Sequence, residues 1–386
     1  MEFKSLIDTR RSHAPDIILL LTLFVIAFFG VSMVFSASAI KASMIYGDSL
    51  YFFKRQAIWV FLSFGIIFFL QNFDYRKYLP LTKYFLLFSF VALILLYILG
   101  IGHSAKGSVR WFNLGFFSIQ PSEFVKIASI IYLAKVFSAK HEEKTFLQMI
   151  VPLTVVGIIF LLVLLQPDFG TAVTILFVSV AVLFVSGFSS VYLILLSLVS
   201  VPAFYLIIYQ VNYRWMRIIA FLNPWENRYG IGYHITQSFV AFKKGGFFGE
   251  GLGLGTQKIG KLPEPHTDFI FAVIGEEAGI LGALIIISLF ILFFWRGMKI
   301  AFNAIDDFGR VLAIALTLSV TIQAFLNMAV VTGLIPTTGI PLPFISYGGS
   351  SMISNMIAAG ILLNISKYRE TVNETFKSNE NEVWHE

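Results

Sequence analysis

The chain has 386 residues, 57% of them hydrophobic and only 13% charged, against about 25% charged residues in soluble domains. That is too little charge to clothe a soluble globule of this size, so the solvent for most of the surface is lipid. Cysteine is absent, which excludes disulfides and thiolate metal sites. The formal charge of +6 has no basic soluble domain to carry it, which argues against nucleic-acid binding.

A transmembrane helix needs about 20 mostly apolar residues. In chain order such runs fall at 15–38, 53–71, 79–101, 121–139, 147–166, 170–187, 189–209, 268–294, 311–333 and 348–366. The first follows Lys4, Arg10 and Arg11. It exceeds the ~7–15-residue core of a cleaved signal peptide, so it reads as a permanent helix. Ten spans put both termini on one side, and the basic residues choose which. With the termini inside, the cytoplasmic segments hold Lys4, Arg10, Arg11, Arg76, Lys77, Lys83, Lys135, Lys140, Lys144, Arg296, Lys299, Arg310, Lys367, Arg369 and Lys377. The short outer loops hold only Lys41, Lys54, Arg55, Lys106 and Arg110. Positive charge concentrates on the cytoplasmic side of membrane proteins. The expectation is therefore an all-α integral membrane protein of the cytoplasmic (inner) membrane, with ten transmembrane helices and both termini cytoplasmic. Residues 1–14 form the N-terminal segment, 15–368 the membrane domain with one long outer loop at 210–267, and 369–386 a polar, disordered tail.

Within that loop, Ile235, Phe239 and Phe242 share one helical face, as in a helix lying in the membrane interface. Tyr213, Trp215, Phe221 and Trp225, mixed with Arg214 and Arg217, read as interfacial anchors. The stretch GGFFGEGLGLG at 245–255 reads as flexible backbone.

Ionisable groups at the ends of spans carry the functional information, because a charge at mid-bilayer costs roughly 2.5–3.5 kcal/mol and demands a partner or a wet cavity. Glu123 and Lys126, in QPSEFVK, sit i, i+3 on one face and can neutralise each other. Pro121 and Glu123 also suit an ordinary helix start, but that does not explain Lys126. Asp168, in QPDFGT, suits a helix cap. Asp268, in PEPHTDFIFAVIGEE, admits the same bland reading. Its company raises it: Glu264, His266 and Thr267 precede it, and Glu276 and Glu277 follow inside the expected span. Arg110, Arg214, Arg217, Lys243, Lys244, Lys258 and Lys261 fall on the same outer side and make a surface suited to a phosphate or pyrophosphate.

GEGLGLG is no nucleotide fingerprint, because no soluble strand and helix flank it. ISYGGSS at 345–351 lacks the strand pattern of a nucleophile elbow. Its Ser346, Gly348 and Gly349 read instead as an irregular loop at the mouth of a cavity. The six histidines are scattered with no zinc-ligand spacing.

RWFNLGFFSIQPSEFVK (110–126), QPDFGT (166–171), GYHITQSFVAFKKGGFFGEGLG (232–253), LPEPHTDFIFAVIGEE (262–277) and GLIPTTGIPLPFISYGGSS (333–351) resemble, in order, the blocks of the SEDS family (shape, elongation, division and sporulation). GLGLGTQKIGKLPEPHTDF is more similar to the division branch than to the elongation branch. The resemblance implies a ten-helix fold that polymerises lipid II into glycan strands on the outer face of the membrane. It further implies a single-span class B penicillin-binding transpeptidase as partner, within a complex of division membrane proteins. The family's catalytic aspartate corresponds to Asp268, its important acid and lysine to Glu123 and Lys126, and the acid of its turn to Asp168.

A pyrophosphate leaving group needs no general acid once cations hold its charge, so one carboxylate base and a positive clamp suffice. Asp268 is the expected base. Arg217, Lys258 or a divalent cation such as Mg or Mn would hold the pyrophosphate, with Arg110, Glu123, Lys126, Asp168, His266 and Thr267 around the substrate. The rival reading is a lipid II flippase, since intramembrane acids and many spans serve transport equally well. A third is a scaffold for the transpeptidase.

Overall fold

The computed structural model describes residues 13–99, 102–105, 108–113, 115, 118–139, 146–188, 191–192, 194, 198 and 209–368. The N-terminal Lys4, Arg10 and Arg11, Lys106, most of the expected span 189–209 and the tail 369–386 lie outside them.

Long apolar runs become helices because lipid offers no partner for backbone N–H and C=O groups. Helix α1 (Ile17–Tyr46) starts where the Asp16 carboxylate accepts from Leu19 N at 2.9 Å and stops at Gly47 in the left-handed region. It is followed by α2 (Tyr51–Leu70), α3 (Tyr78–Leu99), α4 (Pro121–Phe137, with its proline in the first turn), α5 (Phe146–Leu165) and α6 (Phe169–Val185). After the long loop come α10 (Gly279–Phe302), α11 (Asp307–Val331) and α12 (Gly349–Lys367). Seven helices among the described residues are long and apolar enough to cross a membrane. At 17 residues each, α4 and α6 reach only about 26 Å.

The bundle is built around α11 and α12, whose apolar windows are 72% and 83% enclosed against 22–44% for the other five. At one end, the two limits of the described chain are stitched together: His13 donates its N–H to Lys367 O at 2.9 Å, and Asp16 N bonds Ser366 Oγ at 3.0 Å. Arg296 pairs with Asp16, and Asp306 takes both Tyr75 and Arg76. The opposite end carries everything that follows.

Three features there differ from the sequence-based expectation. A small antiparallel sheet of β1 (Gly102–Ala105), β2 (Ser108–Asn113) and β3 (Ser118–Ile119) lies between α3 and α4. The expected span 268–294 is two helices: a short, wholly buried α9 (Ile270–Glu277) and then α10. Between them Gly279 holds φ +67°, where an added Cβ would sit 2.4 Å from Gly249 N.

The third concerns the loop helices α7 (Asn212–Leu222) and α8 (Tyr233–Gly245). The apolar face of α8 does not lie on lipid. Ile235 is buried, Phe242 meets Phe271 at 5.8 Å, and Phe239 lies against Gly333. A Cβ on Gly245 would come within 1.9 Å of Gly275 O, so glycine permits that docking.

The chain after α8 closes the helix break. Glu250 N and Gly251 N donate to the carbonyls of Glu276 and Glu277, both at 3.0 Å. Ile280 N and Leu281 N donate back to Gly246 O and Phe247 O at 3.0 and 3.1 Å. Orphan carbonyls of one helix and orphan N–H groups of the next are thus satisfied together.

Candidate functional site

Three loops converge at this end: 166–168 before α6, 253–269 before α9, and 333–348 between α11 and α12. Asp268 lies two residues before α9. The N-cap position belongs to Phe269, whose own side chain makes no capping bond, so Asp268 is one residue short of the N-cap place the sequence offered it. It is half-buried, with Oδ2 3.6 Å from the place a Cβ would take on Gly339. Glu264 and Phe344 hold positive φ values of 48° and 64°. Non-glycine residues tolerate that conformation only where the surroundings over-determine it, and these two flank the site on two of its three loops.

What fixes Asp268 is an amide the sequence reading passed over. Asn327, on α11 and 1% exposed, donates through Nδ2 to Asp268 O at 2.8 Å and to Ile340 O at 2.7 Å. One turn deeper Gln323 repeats the device, donating to Pro341 O at 3.1 Å while its Oε1 accepts from Lys126 Nζ at 2.6 Å. Lys126 is paired with Glu123 at 2.9 Å, both side chains almost wholly enclosed, and Ser354 Oγ lies 3.2 Å from the same carboxylate oxygen. The expected Glu123–Lys126 pair is therefore present as a buried, hydrogen-bonded unit. It is tied through two amides of α11 to the loop beside Asp268. Polar amides four residues apart in an otherwise apolar span were the available signal.

Asp168 is the N-cap of α6, its carboxylate taking Ser122 Oγ at 2.6 Å and Gln120 Nε2 at 2.8 Å. Its neighbour Gly170 packs directly on Ile340, so this cap braces the same loop that Asn327 holds. Arg110 donates to the carbonyls of Gln166 (3.2 Å) and Pro167, and Arg217 to Thr337 O at 2.9 Å. Both guanidinium groups thus sit on site loops. Ser346 Oγ donates to Thr267 O at 2.7 Å and accepts from Leu342 N at 2.8 Å, stitching the Asp268 segment to the last loop. Gly349 is packed against Trp59, whereas a Cβ on Gly348 would meet only Ser351, at 3.9 Å.

Lys258 differs from expectation. Its ammonium is buried and its three protons go to Glu277 (2.5 Å), Gly253 O (2.8 Å) and Ser36 Oγ (2.9 Å), which leaves none for a phosphate. Glu277 also accepts from Gly253 N at 2.9 Å, and Glu276 from the N–H groups of Thr256 and Gln257. The two acids expected inside a span instead hold the glycine-rich loop to the end of α9.

His266 is buried between Phe52 and Tyr347, with ring centroids at 4.6 and 5.8 Å. Burial, with the nearby charge of Lys41, pushes its imidazole down to about 4, so it is neutral at pH 7.

The FtsW/RodA/SpoVE family model, described as "Cell cycle protein", matches residues 16–371. The chain belongs to this family. A Geobacter sulfurreducens relative named "Probable peptidoglycan glycosyltransferase FtsW" is 43% identical over 362 residues, covering 93% of this chain and 97% of the relative. A solved structure titled "Structural coordination of polymerization and crosslinking by a peptidoglycan synthase complex" superposes with a TM-score of 0.76 at 25% identity, covering 92% of this chain and 99% of that one. Thermus thermophilus rod shape determining protein RodA gives a TM-score of 0.70 at 25% identity, over 93% and 98% of the two chains.

Proposed function

We infer that the protein is a peptidoglycan glycosyltransferase that polymerises lipid II, with the Asp268 end of the bundle at the outer face of the cytoplasmic membrane and both termini in the cytoplasm. The observation that carries this reading is the placement of Asp268: a half-buried acid held by its backbone carbonyl at the meeting of three loops, two of which also bind arginines. The excess of basic residues on the opposite side supports the orientation. So does the stitching of residues 13–16 to 366–367 at that end.

In the proposed reaction Asp268 takes the proton of the acceptor sugar's 4-hydroxyl. That oxygen bonds to C1 of the donor with inversion, and the C1–O bond to pyrophosphate breaks. The polyprenyl pyrophosphate leaves with its electron pair, its charge held by cations of the chain. Arg217 is the sequence candidate still suited to that task. Among the described residues no three His, Asp or Glu side chains converge as a metal cage. A divalent cation, Mg or Mn, would in this reading enter with the substrate's phosphates.

Septal synthesis during division, rather than elongation, accords with 43% identity to an FtsW relative against 25% to RodA. The partner we propose is a class B penicillin-binding transpeptidase among other division membrane proteins. Polymerisation is favoured over transport because the polar string from Asp268 through Asn327 and Gln323 ends at the Glu123–Lys126 pair. Beyond it α11 is apolar and enclosed from Val311 to Leu316. Fluorescent lipid II supplied to the purified chain in nanodiscs should yield polymer ladders. In liposomes, movement between leaflets without polymer would show a transporter instead.

Asn327→Leu should lower lipid II turnover by about 10–100-fold, the scale of two lost buried hydrogen bonds. The loss is expected in kcat with KM nearly unchanged, because the substitution loosens the base and not the substrate pocket. Steady-state kinetics check it.

A further inference from the structure

The chain that closes the α9–α10 break leaves bulky apolar side chains uncovered. Phe248 is 78% exposed and Leu252 70%, and Phe247, Leu254 and Ile259 are exposed with them. The Phe247 and Phe248 rings meet edge to face at 5.0 Å. An exposed apolar cluster of this kind marks an interaction surface. It is separate from the apolar face of α8, which packs inward on Phe271 and Gly333.

What covers the cluster follows from its continuity with α10. Ile280 N and Leu281 N donate to Gly246 O and Phe247 O, so Phe247 stands beside the first turn of that helix. Ile280, Leu281, Leu284 and Ile285 are exposed on a helix long and apolar enough to cross a membrane, and lipid covers that face. The other end of α10 sets the depth. Trp295 is exposed there, with Arg296 and Lys299 at 5.7 and 5.9 Å from its ring, a combination that marks a membrane boundary. From Lys299 back to Gly279 the helix spans about 30 Å, the thickness of the hydrocarbon core. Phe247 and Phe248 therefore stand at the opposite edge of the acyl region, and any tilt of α10 sets them deeper.

Charge narrows the kind of lipid. Among residues 243–261 the exposed charges are Lys243, Lys244 and Lys261 against Glu250, while Lys258 is buried. Among the described residues none of the three exposed lysines has a carboxylate within ion-pair distance. Lys243 and Lys244 close α8, and the contact of Gly245 with Gly275 O holds that helix end in place. Lys244 Nζ donates to Thr256 Oγ1 at 2.5 Å, joining the two limbs of the loop. Apolar side chains at the acyl boundary with lysines next to them characterise a segment lying on a membrane, and anionic headgroups strengthen its attachment.

We propose that residues 243–254 form a docking site for an anionic phospholipid of the outer leaflet. Phe247, Phe248 and Leu252 enter the acyl boundary, and Lys243 and Lys244 hold the headgroup phosphate. That the leaflet is the outer one rests on the orientation in the reading above. Because residues 246–251 are bonded to the α9–α10 break, lipid held here also steadies the base of α9, the helix that follows Asp268.

The chain has no cysteine, so Leu252→Cys gives a single site for a bimane fluorophore. Full-length labelled protein is placed in phosphatidylcholine nanodiscs doped with acyl-brominated phosphatidylglycerol or, at equal fraction, acyl-brominated phosphatidylcholine. The phosphatidylglycerol should quench as if enriched about 5-fold or more at the label, the scale of one lysine beside an anionic surface. Lys243→Gln with Lys244→Gln should bring the two lipids to near parity. Lys243→Arg with Lys244→Arg should keep the preference, which separates lost charge from lost folding. In the unlabelled parent, phosphatidylglycerol should raise kcat for lipid II, and the glutamine pair should lose that rise.

Equal quenching by both lipids in the parent overturns the site. So does an absence of quenching by either, and a shielded label in particles holding two chains would then give the patch to a second copy. A kcat indifferent to phosphatidylglycerol strikes the coupling to α9. Selective quenching in a parent that makes no polymer keeps the lipid site and sinks the polymerase reading, whereas polymer without selective quenching does the reverse.

Discussion

Asp268→Asn is expected to abolish glycan polymerisation while leaving expression, membrane insertion and substrate binding intact. The amide keeps the shape of the carboxylate and its backbone bond to Asn327, but it cannot accept a proton at neutral pH. Positioned general bases contribute roughly 10²–10⁴-fold, and a loss of that size with an unchanged unfolding midpoint separates chemistry from folding. Polymer ladders and a thermal melt on the same preparation read both. Normal ladders from the variant would remove Asp268 as the base and return the flippase and the scaffold to consideration.

The second large effect falls on the buried pair. Lys126→Met leaves Glu123 with Ser354 and no cation, and deprives Gln323 of the ammonium it accepts from. Stranding one partner of a buried ion pair costs about 3–5 kcal/mol, so this variant should melt early or fail to insert. Adding Glu123→Gln removes the stranded charge and should recover most of that stability. Activity, in contrast, should stay low in the double variant, because Gln323 then has no fixed partner on α4 and its bond to Pro341 O is less constrained. Recovery of stability and activity together would reduce the pair to a packing device.

The helices could be read from the sequence because lipid imposes a single rule, about 20 apolar residues in a row. The bounds of α2, α5 and α12 follow from it closely. The rule fails where apolar character runs on through a change of direction. Residues 268–294 are hydrophobic almost throughout, so the break at Gly279 is marked only by a glycine and by two acids that looked intramembrane. The sheet at 102–119 was missed because its strands are two to six residues long, too short for alternation to register. Chemical identity at the site was legible, and pairing was not. Asp268 stood out by its neighbours, but nothing in the chain order says that Lys258 is consumed by Ser36, 222 residues away. Nor does it say that Asn327 meets Asp268 from another helix. α8 was misplaced for a related reason, since an apolar helical stripe looks the same whether it faces lipid or protein.

One reading from composition is reversed outright by the structure. The run GGFFGEGLGLG suggests slack chain, yet residues 246–251 are held by four main-chain bonds to the α9–α10 break, and residues 253–257 by the carboxylates of Glu276 and Glu277. Glycine at 245 and 249 serves as clearance, letting one backbone lie directly on another. The consequence is mechanical: this segment can be displaced only by dragging the base of α9 with it. Force applied from outside to its exposed Phe247, Phe248, Leu252 or Leu254 would therefore travel, without intervening compliance, to the helix that follows Asp268.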